Sequence, residues 1–401
     1  MTFTVIGITD HPQPWFPPVV TDLIAAGRIF SGGRRHHEIV APLLPPDAEW
    51  IDITVPLDDV FERYHDHVVV FASGDPLFFG FANTLRRHFP EADIKIFPTF
   101  NSLQLLAHRL LMSYHDMRIV SLTGRPWPEL DRALIEHSSK IGVLTDRLHT
   151  PAAIAQHMLD YGYTDYCMHV GEHLGNPAKE KVTTLTLHEA AQRSFPMPNC
   201  IMLIRQLSDK GGYRSPFGIP DTSFALLDGR EKMITKMPIR LLTLQALDLP
   251  SRQVLWDIGF CTGSVSIEAR LQFPHLGIEA FEIRPECEAI IHENMRRHGA
   301  PGIQVHIGDF LQTDIVQLPR PDAVFIGGHG GQLKAIMHKV VPHLTDGGII
   351  VMNSVVAPKV TTDSRQLWDE VCQELGLSQE PPLHIQLNDH HPITILKCKR
   401  K

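Results

Sequence analysis

The 401 residues, of which 43% are hydrophobic, exceed what one hydrophobic core ordinarily organises and predict two domains. A net charge of -8 argues against a nucleic-acid partner, which needs a basic face. No stretch approaches the roughly 18 apolar residues of a membrane span, and the N-terminus opens into a strand-like run rather than a leader, so a soluble, cytoplasmic protein without a membrane partner is expected.

In chain order, β-branched runs at 3–8, 67–73, 93–98, 117–124 and 139–146 alternate with amphipathic stretches, a pattern that implies parallel α/β layers. The apolar run 199–207 leads into residues 210–224, rich in Gly, Pro and polar side chains, which read as the linker between domains 1–207 and 208–401. Runs at 253–260, 277–283, 303–309, 321–328 and 347–355 then predict the strands of a doubly wound open sheet, separated by helical segments such as 264–273 and 285–299. Its ligand is expected beyond the carboxyl ends of the first strands. No internal repeat or low-complexity segment is evident. The six cysteines, Cys167, Cys200, Cys261, Cys287, Cys372 and Cys398, include no CxxC pair, and the 24 histidines show no HExxH spacing, so free thiols and no metal site are expected.

The most specific constellation is Asp257-Ile-Gly259-Phe260-Cys261-Thr262-Gly263, set between a strand and a helix. Glycines in such a turn let backbone approach a ligand and open a helix N-terminus onto it. Glu282, 19 residues beyond Gly263, stands where a carboxylate accepts ribose hydroxyl protons, and Gly308-Asp309 ends the following strand. A nicotinamide-binding GxGxxG would need Gly or Ala where Cys261 and Ser264 stand. The pattern instead resembles motif I of class I methyltransferases, in which the leading acid, here Asp257, helps orient the methionine amino group of S-adenosylmethionine.

With Thr235-Lys236-Met-Pro-Ile-Arg240, Ser264-Val-Ser-Ile-Glu268 and Phe325-Ile-Gly-Gly-His329-Gly-Gly, the chain from about residue 216 onward resembles the decarboxylating precorrin methyltransferases that methylate C15 and remove the C12 acetate carboxyl. That family usually has glycine where Cys261 stands.

In the first half, the apolar strand at 67–73 ends in Gly74-Asp75-Pro76, with Asp75 expected to cap a helix that Pro76 starts. Together with Gly32-Gly-Arg34-Arg35-His36, Ser121-Leu-Thr-Gly124-Arg125, Leu144-Thr-Asp146, Thr150-Pro151 and Gly171-Glu172-His-Leu174-Gly175, this half resembles the tetrapyrrole methylases, in particular the precorrin C5-methyltransferases. The resemblance implies two α/β subdomains around a cleft for S-adenosylmethionine and the macrocycle. Asn101-Ser102 stand where the family has Ser-Ser, and Thr123 replaces a customary histidine.

Methyl transfer from a sulfonium is an in-line displacement in which the protein chiefly aligns reactants and excludes water. The resemblance places the donor on Gly74, Asp75, Pro76, Asn101 and Ser102 in one half. In the other it places it on Thr235, Asp257, Gly259, Phe260, Cys261, Thr262, Gly263, Glu282, Gly308 and Asp309. A carboxylate-rich macrocycle calls for local cations, and Arg34, Arg35, His36, Arg125, Lys236 and Arg240 are the candidates. His329 is the candidate catalytic residue, as proton donor or as pocket lining.

The expected function is methylation of a precorrin at C5 and C15 with loss of the C12 acetate carboxyl, in a homo-oligomer. The same chemistry on cobalt-containing precorrins is the nearer alternative. A nicotinamide-dependent reductase or a non-catalytic tetrapyrrole carrier is the more distant one.

Overall fold

The computed structural model describes residues 1–206, 217–355, 364–388 and 392–400. They fall into two units, Met1–Pro126 with Ser138–His157 and Thr164–Gln206, and Trp127–His137 with Met158–Tyr163 and Leu207–Lys401.

In the first unit, strands β1 (Thr2–Ile8), β2 (Ile29–Gly32), β3 (Glu49–Asp52), β4 (His67–Ser73) and β5 (Asp93–Phe97) form a sheet in the order β3-β2-β4-β1-β5, parallel throughout. Side chains along β1 and β4 alternate between two cores. Phe3, Val5, Val68, Val70 and Ala72 pack with Phe61 and Tyr64, while Ile6, Ile8, Val69 and Phe71 pack with Phe30 and Val20. Burial on both faces is why the sequence shows continuous apolar runs there rather than alternation.

The second sheet holds β6 (Arg118–Ser121), β7 (Lys140–Leu144), β8 (Tyr166–Glu172), β9 (Lys181–Thr186) and β10 (Asn199–Arg205), ordered β6-β7-β10-β8-β9. Here the expectation of parallel layers is corrected: only β6–β7 is parallel, and β7–β10, β10–β8 and β8–β9 are antiparallel. β8 and β9 are joined by the turn 173–180, too short for the crossover that a parallel pair needs.

In the second unit, β11 (Val254–Ile258), β12 (Gly277–Glu282), β13 (Ile303–Ile307), β14 (Ala323–Ile326) and β15 (Ile349–Val355) occupy the five expected positions. They are followed by β16 (Ser378–Gln379), β17 (Leu383–Ile385) and β18 (Ile393–Lys399). The order β13-β12-β11-β14-β15-β18-β16 reverses direction of growth between β11 and β14, the crevice position of an open α/β sheet. β18 is antiparallel to β15. Trp256 and Trp368 anchor one core of this sheet, and the buried Trp256 indole donates to the carbonyl of Pro319 at 3.1 Å. Part of the expected linker, 210–216, lies outside the described residues. The remainder is not a free tether, because the amides of Gly218 and Ile219 donate to the buried Glu268 carboxylate at 2.9 Å each.

The carboxyl end of β1 meets the turn after β4 backbone to backbone. A Cβ at Gly7 would stand 2.0 Å from the carbonyl oxygen of Gly74 and 2.9 Å from the amide of Thr99. Gly7→Ala therefore forces backbone to move, and a loss of stability at or above the ~1–3 kcal/mol of ordinary overpacking is expected in urea unfolding. An unchanged midpoint would contradict this packing.

Candidate functional site

In the second unit the site is built by the strand-to-helix turn after β11. Gly259 (φ +81°) and Gly263 (φ +74°) hold left-handed conformations, and a Cβ at Gly259 would stand 2.7 Å from the amide nitrogen of Gly328 in the loop after β14. Backbone thus meets backbone across the crevice, which only glycine permits. Cys261 is also left-handed, at φ +51°, a conformation that favours glycine. The helix Ser264–Gln272 begins at Gly263 and directs its first amides toward the turn.

Asp257 is fully buried. Its Oδ2 accepts from the Ser266 hydroxyl at 2.5 Å, and its Oδ1 has no protein partner, like the buried hydroxyl of Thr262. Burial, only partly offset by Ser266 and reinforced by the Glu282 charge, pushes the Asp257 carboxyl up to about 7. Glu282 is itself engaged: Arg284 reaches it in a fork, Nε to Oε1 at 2.9 Å and Nη2 to Oε2 at 2.8 Å, and the Cys261 amide donates to Oε2 at 3.0 Å. Burial pushes this carboxyl up, but these bonds outweigh it and hold it below the ordinary glutamate value. Arg284 was not a sequence candidate, although its place two residues beyond the acidic strand end was a usable signal.

Asp309 uses Oδ1 to accept from the Leu311 amide at 2.9 Å, and the Gly308 amide donates to the Glu282 carbonyl at 2.9 Å, so β12 and β13 end together. Phe260 is buried beside the turn. Half-buried His329 accepts from the Gly331 amide through Nδ1 at 3.2 Å, which leaves the proton on Nε2, and burial lowers its pKa.

One substrate candidate is overturned. Arg240 is fully buried and donates to Glu268 at 3.1 Å, to Asp221 at 3.2 Å, to the Thr235 carbonyl at 2.9 Å and to the Ile219 carbonyl. A guanidinium with every arm so engaged is structural, and Thr235 serves it through its carbonyl. Lys236 remains partly exposed, 4.0 Å from Asp221.

In the first unit a cleft of about 510 Å³ is lined by residues of both its sheets, among them Asp10, Arg35, His36, Gly74, Asn101 and Ser102. Asn101 caps the helix Ser102–Arg109, accepting from the Gln104 amide at 2.9 Å while the Gln104 side chain accepts from the Asn101 amide at 3.0 Å. A chain of polar contacts runs along the cleft: Arg35 donates to Asp10 at 2.5 Å and to the Ser73 hydroxyl at 2.8 Å, and His36 Nε2 lies 2.9 Å from the same hydroxyl. Burial, then the Arg35 charge, lowers His36 to about 4, so it is neutral at neutral pH.

Several first-half candidates stand elsewhere. Asp75 and Pro76 begin a turn, not a helix: Asp75 Oδ1 accepts from the Leu77 amide at 2.9 Å, and the helix starts at Ala82. Arg34 is exposed and pairs with Glu38 on its own helix at 3.3 Å. Arg125 donates to the Ser121 hydroxyl at 2.7 Å and lies over the Phe79 ring, 5.1 Å from its centroid.

All six cysteines are free. Among the described residues, no group of acidic, histidine and cysteine side chains is arranged to hold a metal, and no helix is long and apolar enough to cross a membrane.

Residues 21–191 match the tetrapyrrole (corrin/porphyrin) methylases and residues 228–379 the precorrin methyltransferase domain. Fold and matches together define a fused pair of methyltransferase domains. A precorrin-6Y C(5,15)-methyltransferase [decarboxylating] of Sinorhizobium sp is 33% identical over 359 residues, covering 88% of this chain and 84% of that protein. A cobalt-precorrin-6B C(15)-methyltransferase (decarboxylating) of Salmonella typhimurium is 32% identical over 44% of this chain and 93% of its own length. A solved precorrin-6Y C5,15-methyltransferase structure from Geobacter metallireducens is 32% identical, covers 47% of this chain and 100% of that one, and has a TM-score of 0.41. The chain belongs to the precorrin-6Y C5,15-methyltransferase (decarboxylating) family.

Two outcomes follow from these electrostatics. Arg240→Ala strands the buried Glu268 carboxylate and is expected to cost about 3–5 kcal/mol in chemical denaturation, with Arg240→Lys unable to rebuild the fork. Because the folded Asp257 carboxyl is raised to about 7, the folded chain binds a proton that the unfolded chain releases between about pH 4 and 7. Its contribution is full below about pH 4 and is lost as pH rises toward 7. A urea-denaturation series should show that slope for the wild type and its absence in Asp257→Asn.

Proposed function

We propose that this chain transfers methyl groups from S-adenosylmethionine to C5 and C15 of a precorrin and removes the C12 acetate carboxyl, in the assembly of the corrin ring. Residues 1–207 are assigned the C5 transfer, and residues 208–401 the C15 transfer with decarboxylation. The observation that carries this reading is the presence, in one chain, of two unrelated crevices at the carboxyl ends of parallel strands, each lined by glycine backbone.

The donor fits the second crevice on its unmet polar atoms. Asp257 Oδ1 and the Thr262 hydroxyl are buried and unpaired, as expected of groups reserved for a ligand that brings an ammonium and hydroxyls. Asp257 and Thr262 would hold its methionine end, Glu282 its ribose, with Gly308 and Asp309 flanking. Arg284 keeps the Glu282 carboxylate charged and fixed. In the first unit Gly74, Asn101 and Ser102 would hold it. The donor supplies an electrophilic methyl group; the protein aligns the accepting carbon and keeps water out.

A precorrin carries many carboxylates, and Arg35 in the cleft and Lys236 in the second unit offer cations to them. Neutral His36 adds a hydrogen-bonding wall. His329, with its proton on Nε2 and its pKa lowered, serves as a hydrogen-bond donor lining the decarboxylation pocket rather than as a charged acid. Relief of solvation around the departing carboxylate favours the transition state, in which its charge is dispersed.

The test uses methyl-labelled donor, the reduced precorrin and mass analysis. The wild type should yield a product heavier by two methyls and lighter by one carboxyl. A Cβ at Gly263 would press on Ile291 at 2.4 Å, and one at Gly74 on the Asn101 Cα at 2.8 Å. Gly263→Val is therefore expected to abolish C15 methylation and carboxyl loss while sparing C5, and Gly74→Val the reverse. Full activity in both variants would sink the assignment. The name of the Salmonella relative favours one second reading, the same reactions on cobalt-containing intermediates; parallel assays with metal-free and cobalt-loaded substrate separate the two.

A further inference from the structure

The first unit contains a second, smaller cavity of about 190 Å³, bounded by Glu172 and His173 at the end of β8, Lys179 in the following turn, Lys181 and Thr183 on β9, and residues 193–196. Its charge is lopsided for local reasons. Glu180, between the two lysines, is held by a fork from Arg109 and accepts the Gly175 amide at 2.6 Å. Glu189, whose charge acts only weakly on Arg193, accepts the amide and hydroxyl of Thr186 on Oε2 at 2.8 and 2.9 Å. Among the described residues, Lys179, Lys181 and Arg193 make no ion pair. They stand against one carboxylate, Glu172, which is 4% exposed. In a chain of net charge -8, three cations that outnumber the single carboxylate around one concavity form a field that attracts an anion.

The cavity is linked to the large cleft by a hydrogen bond between His173, which lines the first, and Asp10, which lines the second. His173 Nδ1 lies 2.9 Å from Asp10 Oδ2, and Asp10 Oδ1 accepts from Arg35. Pro196 lines the small cavity, while the next two residues, Met197 and Pro198, line the cleft.

We propose that this basic cavity is a carboxylate subsite, which takes one acidic arm of the macrocycle whose reacting carbon lies in the large cleft. It is too small for a tetrapyrrole and suits a short carboxylate side chain. Glu172 in its lining favours a singly charged anion over phosphate. The inference rests on the functional reading above and adds to it the residues that set the orientation of the ring.

The experiment titrates the full chain with a stable polycarboxylate porphyrin and with its fully amidated, uncharged counterpart, measuring S-adenosylhomocysteine binding in parallel. The triple variant Lys179→Ala, Lys181→Ala, Arg193→Ala should bind the carboxylated porphyrin about 10- to 100-fold more weakly. It should bind the amidated one and S-adenosylhomocysteine as the wild type does. Lys181→Arg alone should retain affinity, and the difference between wild type and triple variant should shrink with added salt.

Equal affinity of wild type and triple variant for the carboxylated porphyrin overturns the subsite while leaving the functional reading intact. So does equal weakening toward the amidated pigment, or displacement of the porphyrin by inorganic phosphate at matched concentration. A wild type that binds neither porphyrin nor S-adenosylhomocysteine overturns the functional reading, and the subsite with it.

Discussion

Both crevices depend on one steric condition: two stretches of main chain must approach without a Cβ between them. At Gly7 and Gly74 the end of β1 abuts the turn after β4, and at Gly259 and Gly328 the end of β11 abuts the loop after β14. Parallel strands deliver their carboxyl ends side by side, and in the second unit a helix N-terminus follows at Gly263, so amides and partial positive charge gather where the glycines make room. The sheets provide the rigidity that such an approach requires. Phe3, Val5, Phe71 and Trp256 are buried almost completely, so the strand ends cannot drift without disturbing close-packed cores.

A second layer of order comes from paired charges. In the second unit, Arg240 binds Glu268 and Asp221 and also two carbonyls, tying residues 219–240 to the helix that begins at Gly263. Arg284 does the same for Glu282 at the ligand's edge. The two differ in exposure: Arg240 is sealed, while Arg284 is half-buried beside the crevice. The first therefore fixes the fold, and the second fixes the direction in which a carboxylate faces a ligand.

The second unit was readable because its strands β11, β14 and β15 are mostly apolar and its turn carries a dense pattern of glycines and acids. The short strands β2 and β3, and the half-polar β8 and β9, gave no such runs; β10 did, but an apolar run does not encode its direction, and β10 lies antiparallel to both β7 and β8. Single cations were the least readable feature. Nothing in the spacing of Arg240 reveals that it meets Glu268, 28 positions away, in the interior. Nor does spacing reveal that Arg109 occupies Glu180, the acid between Lys179 and Lys181. Burial and pairing of charges are set by tertiary contacts that local pattern does not encode. The turn at Asp75 erred for a related reason: a side chain that accepts an amide two residues on is as consistent with an Asx turn as with a helix cap.

The placement of β18 bears on how this chain tolerates shortening. It runs antiparallel along the whole of β15, from Ile349 opposite Lys399 to Val355 opposite Ile393, and so covers what would otherwise be a long, flat, apolar sheet border. Removing the last strand would uncover a row of unpaired amides and carbonyls on a segment reading Ile-Ile-Val-Met, a ready template for other chains to stack upon. The closing residues thus protect the molecule against self-association, quite apart from any part in its chemistry.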